Sequence, residues 1–180
     1  MARIPYADPD QTRSGHPDLV ARIIHERGGM IHLYAMLLQS PPMAEGWLDL
    51  LTAVRQKSSL PAGLRELLII RVAQINGAPY EAEQHRPIAL REGVSAQALD
   101  ALEAWRSSDL FTDAERAALE LCDGMTSDIH VAPALIAAAS DHFTPREVVE
   151  LAITVGAYNM VSRVLEALQI SASDEMGSWD

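Results

Sequence analysis

The sequence predicts an all-α protein, an antiparallel bundle of about eight to nine helices. Two observations carry this. Nearly every segment between residues 16 and 170 has its own helix start or stop signal, a proline entry, a Ser/Thr cap or a glycine exit. No segment alternates apolar and polar residues with the period of two that a half-buried strand requires.

The elements follow in order. Residues 1–15 hold Pro5, Pro9 and Gly15 among polar side chains and read as an extended N-terminal arm. His16-Pro17 sets a proline at a first helical turn, and Gly28-Gly29 ends that helix. Ile31 to Leu38 is apolar and stops at Ser40-Pro41-Pro42, where Ser40 is placed to cap a helix reaching Val54. Leu60-Pro61 opens a helix that closes at Asn76-Gly77, and Pro79 opens the next, running to Arg91-Glu92-Gly93. Pro87 lies inside that helix, removes one backbone hydrogen bond and predicts a kink just after His85. Ser95 caps a short helix to about Ala104. Thr112 with Glu115, and Thr144 with Glu147, have capping-box spacing, and the second pair opens the longest apolar helix, to Leu168. Residues 171–180 are polar and read as a flexible tail, leaving one helical domain over 16–170.

Composition narrows the function classes. The chain has 180 residues, of which 48% are hydrophobic, enough for a sizeable core. Its formal net charge of −11 repels a phosphate backbone, so no nucleic-acid partner is expected. No uninterrupted apolar run reaches about eighteen residues, so no membrane partner is expected either. The N-terminus lacks an apolar signal core, and a single cysteine, Cys122, builds no intrachain disulfide, which suits a cytoplasmic location.

The residues able to carry chemistry gather between Glu66 and His85. Glu66 stands among Leu67, Leu68, Ile69, Ile70 and Val72, a density of aliphatics that buries a helix over most of its circumference. One reading is an acid near a helix start paired with Arg65 or Arg71; the other is a general acid/base held in apolar walls. His85 lies four residues after Glu81, on the same helix face. Glu66 is ten residues before Asn76 and His85 eight after Gly77, so at about 1.5 Å per residue they stand at similar heights of an antiparallel hairpin. Glu81 and His85 at i, i+4 are also two metal ligands without a clear third, so no metal and no cofactor are expected. Tyr80 precedes Glu81 and can donate a hydrogen bond to a developing oxyanion, or simply pack at the helix start. Arg71 and Arg163 are candidates to hold a substrate carboxylate, and Asn159, a polar residue inside the longest apolar helix, to line the same pocket. Cys122 sits on an apolar helical face, as a small core residue does.

The spacing from Glu66 to His85 resembles the carboxymuconolactone decarboxylase superfamily, which includes the alkylhydroperoxidase D proteins. In the peroxidase branch the frame is Glu, then two Cys, then His; the matching positions here are Glu66, Ala78, Glu81 and His85. The acid and the imidazole are present and both thiols are absent. Leu60-Pro61 through Leu67, and Gly156-x-Tyr158-Asn159-Met160, are similar to the same superfamily. The resemblance implies an all-helical core and a homo-oligomer, a trimer or hexamer, and the apolar faces carrying Ile31, Leu33, Leu37, Leu38, Trp47 and Leu50 point the same way.

Three functions compete. The first is a cofactor-independent decarboxylase or isomerase for a small carboxylated or carbonyl substrate, with Glu66 and His85 shuttling the proton, Glu81 orienting the imidazole or raising its basicity, and Tyr80 stabilising the enolate-like oxygen. The second is an alkylhydroperoxidase-like, peroxiredoxin-like protein that has lost its thiol pair. The third is a non-catalytic oligomer that binds a small ligand. A pocket uniting Glu66, Tyr80 and His85 favours the first, Cys122 exposed beside His85 the second, and Glu66 and His85 far apart on open surface the third.

Overall fold

Proline entries and glycine exits divide the chain where the sequence places them. The computed structural model describes residues 1–179, with ten α-helices and no strand among them. The helices are α1 (Pro9–Gly15), α2 (Pro17–Arg27), α3 (His32–Leu37), α4 (Pro41–Thr52), α5 (Ala62–Asn76), α6 (Pro79–Arg91), α7 (Ala96–Ala101), α8 (Asp113–Ser127), α9 (Pro133–Ser140) and α10 (Pro145–Leu168). A π-helical turn, Ala53–Lys57, follows α4, and a 3-10 turn, Leu102–Ser107, follows α7. The fold class is therefore all-α, as the punctuation predicts.

The helices fall into two compact units, where the sequence reads as one domain: Met1–Gln56 with the segment from Val164 onward, and Lys57–Arg163. Nothing in composition marks that division, because no linker-like stretch separates the units.

The first unit has its own apolar cluster of Val20, Ile23, Tyr34, Ala35, Leu38, Ala44, Leu48 and Trp179. The expected extended arm contains α1, capped by the Asp8 carboxylate, which accepts from the Gln11 N–H at 2.8 Å. The arm is also tied in by backbone, the Ala7 N–H donating to the Ala35 carbonyl at 3.1 Å. A seven-residue polar helix has no apolar period to reveal it, and its sequence signals are the Asp8 cap and Pro9 at the first helical position. The expected flexible tail is anchored by Trp179, which is 6% exposed and donates from its indole N–H to the Met176 carbonyl. Asp180 lies outside the described residues. Ser40 precedes α4 but its hydroxyl makes no cap hydrogen bond; Pro41 at the first helical position sets the turn instead.

The second unit is built around α5. Nine of its fifteen residues are buried, including Leu64, Leu67, Leu68, Ile69, Ile70 and Val72, so the helix is enclosed nearly all round. It packs mainly against α6 and α8. Gly77 makes the α5–α6 turn at φ 62°, a left-handed conformation that favours glycine, and the Ala78 N–H returns to the Ala73 carbonyl at 2.9 Å. Pro79 then starts α6 at once, so the two helices form a tight hairpin. Helix α6 continues unbroken through Pro87. Gly124 of α8 lets α9 approach, since a Cβ there would lie 2.6 Å from Leu135 Cδ1. Both capping boxes form, at Thr112–Glu115 and at Thr144–Glu147. By length and composition α10 is the one helix among the described residues apolar enough to cross a membrane, and half of its most apolar stretch is buried.

Candidate functional site

Glu66 is the fifth residue of α5, beyond the first four N–H groups that a helix leaves free. The helix start therefore gives its carboxylate little support, and the aliphatics of α5 draw it into the core, where it is 1% exposed. Its hydrogen-bond partner comes across the hairpin. Glu66 Oε2 lies 2.6 Å from His85 Nδ1. Arg65, the cation one residue away, comes only to 3.8 Å of the other oxygen. Of the two readings of Glu66, the imidazole and not an arginine makes its hydrogen bond, with Arg65 left as a longer ion pair.

The other side of the ring is also occupied. His85 Nε2 lies 3.1 Å from Glu81 Oε1, one turn earlier on α6. His85 is therefore held between two carboxylates, one on each nitrogen. The ring meets Tyr158 of α10 edge-on, centroids 5.2 Å apart and planes at 88°. Burial opposes the charged ring, but the hydrogen bonds with Glu66 and Glu81 outweigh it and hold the His85 pKa above the ordinary histidine value. The arrangement can pass a proton in at one ring nitrogen and out at the other. Side-chain exposure is 7% at Glu81 against 1% at Glu66, so the more open end is Glu81.

Tyr80 is half-buried in the first turn of α6, beside Glu81 in sequence, and its phenol makes no side-chain hydrogen bond among the described residues. Burial, with the negative charge of Glu81 adding to it, pushes the Tyr80 pKa up to about 12, so the hydroxyl keeps its proton at neutral pH.

The expected substrate-holding residues lie elsewhere in this unit's bonding. Arg71 spends its guanidinium on Asp123, Nε to Oδ1 at 2.6 Å and Nη2 to Oδ2 at 2.9 Å, and donates to the Glu103 carbonyl as well. Asp123 also accepts from Arg106 and from the Trp105 indole, a fully used carboxylate. Asn159 accepts from Asn76 at 3.0 Å and donates to Thr126 Oγ1 and the Val155 carbonyl. Arg163 donates to Asn159 Oδ1 at 2.7 Å. Asn159 thus ties α10 to the Asn76 end of the hairpin and to α8.

Cys122 is fully buried on α8, with a thiol pushed up to about 12 by burial and by the charge of Asp123. No three His, Cys, Asp or Glu side chains among the described residues converge as a metal site. Sequence reasoning gave Tyr158 no place in the site; its signals were its position in the Gly156-x-Tyr158-Asn159-Met160 stretch and one residue before the buried Asn159.

Fold and site together define a class: an all-helical bundle with a buried carboxylate–imidazole–carboxylate unit on a hairpin and no thiol pair. Residues 41–124 match the carboxymuconolactone decarboxylase family. Over 115 residues the chain is 30% identical to the uncharacterized protein YdfG of Bacillus subtilis (strain 168), covering 63% of this chain and 78% of that protein. Among solved structures, a protein of unknown function from Agrobacterium tumefaciens, described as a candidate antioxidant defence protein AhpD, is 25% identical. It superposes with a TM-score of 0.72 over 77% of this chain and 96% of its own. The debrominase Bmp8, in complex with 2,3,4-tribromopyrrole, shares the fold at a TM-score of 0.81 and 17% identity, covering 96% of this chain and 92% of its own. The chain belongs to the carboxymuconolactone decarboxylase family, within the alkylhydroperoxidase D-like superfamily.

Proposed function

We propose that this protein is a cofactor-independent acid/base enzyme, a decarboxylase or isomerase, acting on a small carboxylated or carbonyl substrate. The observation that carries the reading is His85 held at both ring nitrogens by buried carboxylates, 2.6 Å from Glu66 and 3.1 Å from Glu81. Glu81, at the more open end, exchanges a proton with the substrate carbon. His85, held protonated between the two carboxylates, gives its Nε2 proton to Glu81 when Glu81 protonates the substrate and keeps it when Glu81 abstracts. The sealed Glu66 on Nδ1 supports the charged ring. In decarboxylation, the electrons of the breaking C–C bond move onto an adjacent carbonyl, carbon dioxide leaves, and the enolate carbon takes a proton from Glu81. In isomerisation, Glu81 removes a proton from one carbon and returns it to another. Tyr80, protonated at neutral pH, donates to the enolate oxygen.

The thiol-peroxidase reading finds less support. Cys122 is the single cysteine, and it is buried in α8 with a thiol pushed up to about 12. A peroxidatic thiolate with a resolving partner is not available within one chain.

The test is wash-in of solvent deuterium. A panel of small β-keto acids, lactones and enolisable ketones is incubated with the protein in D2O and followed by proton NMR. Depletion or deuterium incorporation that disappears in Glu81→Gln and in His85→Gln is the expected outcome. Exchange at the heat-inactivated rate across the panel would end the reading.

A further inference from the structure

Arg65 is the buried arginine of this chain, 8% exposed, and its guanidinium makes no hydrogen bond to any described residue. Its Nε is sealed from solvent without a partner. The nearest carboxylate oxygen, Glu66 Oε1, is 3.8 Å away, within reach of Coulomb attraction but too far for a hydrogen bond. One sealed N–H of the guanidinium is thus left without a partner, whereas Arg71 and Arg163 are satisfied within the chain. Arg71 is gripped by Asp123 on two nitrogens, and Arg163 donates to Asn159. Leaving a buried charged donor without a hydrogen bond is costly, and apolar residues would fill the same helix position without that cost.

Its position gives the unused fork a use. Glu66 presents one oxygen to His85 Nδ1 and the other to the side of Arg65. The guanidinium therefore stands next to the proton-transfer unit. The Arg65 guanidinium, 3.8 Å from Glu66 Oε1, places a positive charge at this end of the unit, which favours an incoming anion there. A planar five-donor fork matches one small anion best, a carboxylate accepting two parallel N–H bonds.

We propose that Arg65 is the carboxylate-binding subsite of this chain, so that the ligand is a small organic carboxylate whose reacting carbon is carried to the Glu66–His85–Glu81 unit. The inference rests on the acid/base reading for the fate of the ligand, but the binding itself does not depend on turnover. It assigns to Arg65 the anchoring role that sequence gives to Arg71 and Arg163.

The experiment observes the side chain directly. Protein labelled with nitrogen-15 in arginine is titrated with sodium acetate and with sodium benzoate at constant ionic strength, against sodium chloride and sodium phosphate. The Arg65 Nε–Hε signal is assigned through its own backbone. A saturable shift of that signal with acetate or benzoate, absent with chloride and phosphate, is the expected result. Arg65→Lys should weaken benzoate binding by roughly tenfold or more, the loss of one charge-assisted hydrogen bond. An Arg65 signal that stays in place up to the solubility of benzoate, or that moves equally with chloride, overturns the proposal. If Arg65→Lys does not fold, the wild-type titration decides alone. A saturable shift in a protein that turns over no acid of the deuterium panel leaves the subsite standing and removes the acid/base reading; turnover without a shift does the reverse.

Discussion

His85 Nδ1 and Glu66 Oε2 lie 2.6 Å apart across the α5–α6 hairpin, both side chains at least nine-tenths buried. The length is that of a charge-assisted hydrogen bond, and it joins two residues nineteen apart in sequence. Because Glu66 sits past the free N–H groups of α5, this bond is the carboxylate's main compensation for burial.

Removing the imidazole should therefore destabilise the fold more than neutralising the acid. His85→Ala leaves Glu66 and Glu81 buried without their shared partner, a loss of about 3 kcal/mol or more. In Glu66→Gln the new amide oxygen still accepts from Nδ1, and the cost should be about 1–2 kcal/mol. Urea unfolding midpoints at pH 7 measure both. Midpoints for both variants at the wild-type value would show that the pair contributes little to folding.

Stability should also fall as pH rises. Burial works against the imidazolium, but its bonds with Glu66 and Glu81 prevail, so the folded-state His85 pKa exceeds the unfolded value of about 6.5. The folded state then binds the proton more tightly than the unfolded state. The resulting stabilisation is complete below about pH 6.5 and is lost as pH climbs through the folded pKa. Unfolding free energies from pH 6 upward, for wild type and His85→Gln, should converge on the alkaline side. A difference that grows with pH would reverse the assignment.

The hairpin was legible because its signals are local. Pro61, Asn76-Gly77 and Pro79 mark three helix ends, and counting residues from the turn puts Glu66 and His85 at one level. The Glu81 bridge follows from i, i+4 spacing. The arm and tail were misread because their order comes from partners far along the chain: Tyr6 donates to Asp174, and Trp179 joins a cluster with Val20 and Leu48. The state of each arginine was equally hidden. Arg65, Arg71 and Arg163 look alike in sequence, and only the position of Asp123 on α8 decides that Arg71 is engaged while Arg65 is not.

Cys122 should be inert in the folded protein. Burial and the Asp123 charge push its thiol up to about 12, leaving a negligible thiolate fraction at pH 8. Iodoacetamide should label it only after denaturation, and dithiol-dependent peroxide reduction should be absent in wild type and in Cys122→Ser alike. Labelling of the native protein within minutes would contradict the burial.

Arg71 should matter to folding and not to chemistry. Arg71→Ala removes two of the donors on Asp123 but leaves Arg106 and the Trp105 indole in place, so the loss should be about 1–3 kcal/mol. Deuterium wash-in, corrected for the folded fraction, should match wild type. A selective loss of exchange would return Arg71 to the substrate.

The chain should associate with copies of itself through α10. Val149 is 61% exposed and Ile153, one turn on, is 48% exposed, and Gly156 continues the same face after a further turn. A Cβ at Gly156 would meet nothing within 4 Å, so the helix is open there to a close neighbour. Two β-branched aliphatics in water beside a bare glycine form a small apolar strip, the kind of surface that a symmetric partner covers with its own copy. Arg146 and Glu150 beside it already pair with each other at 2.9 Å and so present little net charge to repel a partner. Sedimentation at micromolar concentration should give a multiple of the 19.6 kDa chain mass, three or six by the family resemblance. Val149→Glu with Ile153→Glu places like charges across the contact and should return the mass to that of one chain, with the helical circular dichroism signal unchanged. A wild-type mass of one chain would end the idea. An oligomer indifferent to the double substitution would move the interface off α10.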